Sequence, residues 1–126
     1  MESLDEVVRA SCATAVLAPL GLFHSDHLLT HRAALLLRHR HPRLSWFLYA
    51  EALYRRIAGL TDARLAECAG AGLTLHRTEF PINPWSAHRK HAAVRCYRSQ
   101  LRALSTAGRP GYADAATEEV FWQIAA

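Results

Sequence analysis

Residues 14–31 read TAVLAPLGLFHSDHLLTH, and the order of chemistries along them decides the fold. Thr14 to Ala18 is a short continuous apolar run, β-branched at Thr14 and Val16 and ended by Pro19. A run without polar alternation predicts a strand buried on both faces, as in a parallel sheet covered by helices. The Pro19-Leu20-Gly21 turn then takes the chain off the strand's carboxyl end and presents Phe23 to His27, at the edge where open α/β sheets bind ligands. Ser25 or Asp26 caps the helix that follows, to about Arg38. On its wheel Leu28, Leu29, Leu35 and Leu36 fall on one broad face, while His27, His31 and Arg38 share another.

His24, His27 and His31 are spaced three and four apart, with Asp26 between the first two. Imidazole is the commonest metal ligand and the side chain most easily tuned to move protons near neutral pH. His27 falls in the first helical turn, where the positive end of the helix dipole disfavours imidazolium. The ring is therefore held neutral, as metal binding requires.

Working outward, Leu4 to Cys12 has helical spacing, and SWFLYA at Ser45–Ala50 reads as a second buried strand after a basic loop, His39 to Arg43. Glu51 to Gly59 is expected as a short helix closed by glycine, and Thr61 or Asp62 caps another through about Ala69. Leu73 to Phe80 alternates, predicting a strand with a solvated face. A long helix is expected from about Trp85 to Ser105, with Val94, Tyr97, Leu101 and Leu104 as its core stripe and Arg95, Arg98 and Arg102 on another face. Gly108 to Gly111 marks a turn. A last amphipathic helix from about Thr117 is expected to turn Val120, Phe121 and Ile124 inward.

At 126 residues and 51% hydrophobic, the chain suits one globular domain. Its net charge of +4 comes from dispersed arginines without a recognition motif, which argues against nucleic acid as the partner. Cys12, Cys68 and Cys96 are distant and odd in number, which fits buried thiols in a reducing compartment rather than a disulfide framework. Glu2, Asp5 and Glu6 follow Met1 where a signal peptide would need basic residues, and Arg9 and Pro19 interrupt the run from Val7 to Phe23. The expectation is a soluble cytoplasmic protein without a transmembrane segment.

Four segments, in order, resemble the PIG-L/LmbE family of zinc-dependent de-N-acetylases. An apolar strand, PLG and HSDH (His24 to His27) match the family's PLG-like turn and HxDH motif. WFLYAEALY is similar to its strand with an acidic-aromatic end. Lys90, Ala93, Tyr97, Ser99 and Gln100 match a K-x-x-A-x-x-x-Y-x-S-Q helix, and EEVFW is similar to its final element. The family's early HPDD-type motif is absent, since His41-Pro42 is followed by Arg43 and Leu44. The chain thus resembles the C-terminal half of that family's Rossmann-like, three-layer α/β fold, with a short, mostly parallel sheet and flanking helices.

The resemblance implies amide hydrolysis at Zn2+ on an acetylated amino-sugar substrate of the N-acetylglucosaminyl type. His27 would be the metal ligand of this half. His24 would be the catalytic group that stabilises the oxyanion and protonates the leaving nitrogen, and Asp26 would orient or tune an imidazole. Catalytic zinc takes three protein ligands, so the others are expected from outside this chain: a missing N-terminal half, a second subunit or a homo-oligomer. The alternative is a catalytically inactive remnant serving as a protein-interaction module. His31 is read as a solvated bystander, His88 and His91 as surface residues, and Ser99 and Gln100 as structural. Tyr49 and Tyr54 are read as packing residues at a strand end, and Glu51 equally as a surface carboxylate.

Overall fold

A computed structural model describes residues 2–80, 83–100 and 118–125. The elements run α1 (Glu2–Ala10), β1 (Ala15–Pro19), α2 (Ser25–Arg40), β2 (Ser45–Tyr49), α3 (Leu60–Gly70), β3 (Leu75–Thr78), α4 (Pro84–Arg95) and β4 (Phe121–Ile124). The architecture is mixed α/β: one four-stranded sheet in the order β1-β2-β4-β3, with flanking helices. β1 and β2 are parallel, joined through α2, and β4 is antiparallel to both of its neighbours. The sheet is therefore mixed rather than mostly parallel.

Register divides the sheet into two unlike faces. Ala18, Leu48 and Trp122 are aligned across three strands, and Trp46 and Ile124 lie beside each other. All five are buried in one cluster with Ala34 and Leu37 of α2 and Cys68 of α3. The other face carries Leu17 next to Phe47, and Tyr49 next to Phe121. There Phe80 packs edge-on against Phe47 and Phe121, at centroid distances of 5.0 and 4.8 Å. Leu17 remains 50% exposed, because β1 is an edge strand. The double-sided burial expected of Thr14–Ala18 is thus corrected: polar alternation is missing from the run, yet only one of its faces is covered.

Three further expectations change. The segment from Thr117 was expected to be helical, but its described part pairs as β4, with Trp122 and Ile124 buried and Phe121 on the other face. VFWQI alternates with period two, and its backbone groups are satisfied by two strands at once. Residues 52–59 form successive turns instead of a helix, with Gly59 left-handed at the entrance to α3. The expected long helix is broken: α4 ends at Arg95 with its cap at Cys96, Tyr97 is exposed, and helical backbone resumes at residues 98–100. Leu101, Leu104, Arg102 and the turn from Gly108 to Gly111 lie outside the described residues. Of the cysteines only Cys68 is buried.

α2 turns inward the face opposite to its leucine-rich one. His31, Ala34 and Leu37 are buried, while Leu29 and Leu36 are exposed. Small Ala34 allows close approach to the sheet, and the polar residues of that face find partners: Arg38 donates to the Ala125 carbonyl at 2.5 Å. α1 is fastened to the end of α2 by charge. Asp5 is buried and accepts from His41 Nε2 at 2.6 Å, with Arg9 at 3.0 Å and Arg40 at 3.1 Å. The His41 hydrogen bond, helped by both guanidinium groups, holds the Asp5 carboxyl below its ordinary value against the opposing effect of burial.

Candidate functional site

The turn after β1 is built by side chains from three parts of the chain. Leu20 extends the β1–β2 ladder by donating its N–H to the Tyr49 carbonyl at 2.8 Å. His31 of α2 donates Nδ1–H to the Pro19 carbonyl at 3.0 Å, and Arg64 of α3 donates Nε–H to that of Leu20 at 3.0 Å. Glu51, just past β2, accepts the N–H groups of Gly21 and Leu22 on one oxygen, Oε1, at 2.8 and 3.1 Å. Buried backbone groups leaving a strand need such partners. Gly21 has φ +79°, and a Cβ there would lie 3.2 Å from the His31 Cβ and 3.3 Å from Arg64 Nη2. Glycine is required by both the backbone angle and the crowding.

His31 is therefore a buried member of this turn, 2% exposed, and not a solvated bystander. Burial pulls its pKa down, overriding the Pro19 hydrogen bond that favours the charged form.

With the turn fixed, the HSDH segment starts α2. The cap is His24 itself rather than Ser25 or Asp26: its backbone is extended and Nδ1 accepts the Asp26 N–H at 3.2 Å. In that arrangement the His24 proton resides on Nε2. The Asp26 carboxylate is exposed, 3.7 Å from His24 Nδ1, and accepts from Ser25 Oγ at 3.2 Å. His27 lies one turn on, its ring centroid 5.6 Å from that of His24 and edge-on to Tyr54 at 5.9 Å. Phe23 stacks obliquely on the other end of this row, 5.3 Å from Tyr54. The three predicted residues, His24, Asp26 and His27, are thus gathered at one helix start.

Behind His27 stands Glu51, with Oε1 3.4 Å from Nδ1. That separation is an electrostatic contact short of a closed hydrogen bond; His27 Nδ1 and Glu51 Oε2 are both buried without a hydrogen-bond partner among the described residues. Glu51 is 5% exposed, which corrects its reading as a surface carboxylate. The one available clue was its place directly after the apolar run ending at Ala50, at the carboxyl end of a strand.

A cavity of about 470 Å3 opens here, lined by His27, Tyr49, Glu51, Tyr54, Glu119 and Phe121 among others. Glu119 pairs with Lys90 of α4, tying that helix to the rim. Burial, reinforced by Glu51 and Glu119, raises the Tyr49 phenol above its ordinary value, so it remains a hydroxyl donor. His88, His91, Ser99 and Gln100 are exposed, and Ser99 Oγ donates to Gln100 Oε1 at 2.7 Å.

The donor chemistry at this point fits zinc in part. An imidazole with one nitrogen turned to a buried carboxylate is how metal-binding histidines are commonly arranged, and here Glu51 Oε1 stands 3.4 Å from His27 Nδ1. Among the described residues no group of three His, Cys, Asp or Glu side chains converges on a common point. Among them, too, no helix is long and apolar enough to cross a membrane. No family model matches this chain, and neither a curated protein nor a solved structure matches it.

Proposed function

We propose that this chain supplies one half of a zinc-dependent de-N-acetylase of the PIG-L/LmbE type, which hydrolyses the acetamide of an N-acetylglucosaminyl compound. In this reading the sheet is part of a Rossmann-like, three-layer fold completed by a second segment carrying the remaining ligands. The observation that carries the reading is the placement of His27: first turn of α2, beyond the carboxyl end of a parallel strand, at the wall of a cavity and backed by buried Glu51.

His27 would hold the metal through Nε2. When bound, Zn2+ supplies a polarised carbonyl and an activated water. His24 would donate Nε2–H to the developing oxyanion; once protonated on Nδ1 as well, which releases the Asp26 N–H, it would pass the Nε2 proton to the departing amine and return to neutral imidazole. Asp26 steadies imidazolium at His24 once it forms. Tyr49 and Tyr54 give the sugar an apolar wall with hydroxyl donors.

The exposed edge of β1 supports the need for a second segment. Half-exposed Leu17 and the outer edge of its strand, which no other described strand pairs, are surfaces that a complementary chain would cover. The same edge favours a second reading, an inactive remnant that docks another protein by strand addition.

Metal analysis and release of free amine from an N-acetylglucosaminyl substrate, with and without a candidate complementing chain, separate the two. Stoichiometric zinc and activity that both vanish in His27→Ala are expected. A protein that takes up no zinc under either condition leaves the docking module standing.

A further inference from the structure

We infer that Glu51 is a positioning residue that fixes the tautomer and orientation of His27, leaving Nε2 as the nitrogen with the free lone pair. The benefit to a metal rests on the function proposed above; the effect on the ring does not. Glu51 has a side chain only 4% exposed, and its Oε1 is gripped by the N–H groups of Gly21 and Leu22 at 2.8 and 3.1 Å. The carboxylate therefore cannot swing away from the ring. His27 Nδ1 lies 3.4 Å from that oxygen, is buried, and has no hydrogen-bond partner among the described residues. A proton on Nδ1 meets the carboxylate with positive charge. A lone pair there would oppose it, and burial magnifies the difference. Tyr54, edge-on at 5.9 Å, restricts the ring from another side. Glu51 thereby joins the turn that delivers the HSDH segment to the nitrogen that would use it.

Long-range 1H–15N correlation spectra of the metal-free full chain, recorded at mildly alkaline pH, read the tautomer directly, and His27→Gln assigns the signals. The unmodified chain is expected to show Nδ1 protonated and Nε2 bare. Glu51→Gln keeps an oxygen for the Gly21 and Leu22 amides and removes the charge. In it the population is expected to move toward Nε2–H, and Zn2+ affinity to fall about tenfold or more. A parent spectrum with the proton on Nε2 overturns the inference, and that measurement decides even if Glu51→Gln does not fold. An unchanged tautomer in folded Glu51→Gln overturns it as well. If the parent takes up no Zn2+ yet its tautomer follows Glu51, the positioning role stands and the zinc function fails.

Discussion

Oε1 of Glu51 accepts the N–H groups of Gly21 and Leu22 and lies 3.4 Å from Nδ1 of His27. One buried oxygen thus joins the end of β2, the turn leaving β1 and the first turn of α2.

Truncating that side chain leaves two buried amides without an acceptor. Each costs about 1–3 kcal/mol, so Glu51→Ala is expected to lose about 2–6 kcal/mol in urea unfolding. Glu51→Gln, which retains an oxygen for the pair, should lose less than half as much. Equal losses in the two variants would mean that the amides are not what Glu51 holds.

The neutral His31 gives stability a defined pH dependence. Its pKa is lowered in the fold, whereas the unfolded chain takes up the proton near about pH 6.5. Stability is therefore complete above that value and declines as pH falls toward the folded pKa, by at most about 1.4 kcal/mol per unit. His31→Gln should be less stable at pH near about 8, by about 1–2 kcal/mol for the weakened Pro19 bond, yet show a flatter curve between neutrality and pH of about 5. Parallel curves for parent and variant would contradict this.

Asp5 has the opposite origin and an overlapping direction. Its pKa is depressed by partners it loses on unfolding, so its contribution is present above about pH 3.9 and disappears as pH drops through the folded value. Amide exchange should show α1 losing protection in that acid window. Asp5→Asn should leave α1 poorly protected already at neutral pH, with the sheet unaffected.

Leu17→Lys tests the uncovered edge. Lysine on an exposed edge strand discourages pairing with other chains, and the position is half exposed. The variant should unfold within about 0.5 kcal/mol of the parent and show less self-association in light scattering. Unchanged association would place the sticky surface elsewhere.

Much of this fold was legible in the sequence because its evidence is local. Proline and glycine after an apolar run marked the turn, and SWFLYA marked β2. What escaped depends on distant partners. On the wheel of α2, Leu28, Leu29, Leu35 and Leu36 outnumber the apolar residues of the face that is buried, Ala34 and Leu37 beside His31, so a count of apolar residues does not identify that face. The partners that draw the other face inward, the carbonyls of Pro19 and Ala125, are invisible to a helical wheel. VFWQI fits a helix or a strand at that length, and two waiting strands decide the matter. Glu51 was readable as a residue at a strand end and not as a buried one, since the amides it binds lie 30 and 29 positions away.

The antiparallel strand β4 separates β2 from β3 although it follows both in sequence. A ribosome therefore releases β1, α2, β2, α3 and β3 before the strand that joins them exists. Until Trp122 arrives, Trp46 and Leu48 have no neighbour on that side, and the nascent chain presents an open apolar seam. Closing so long a loop is entropically slow. Assembly of the sheet is thus expected to wait for β4, and dependence on holding chaperones to be greatest in the interval before that strand emerges.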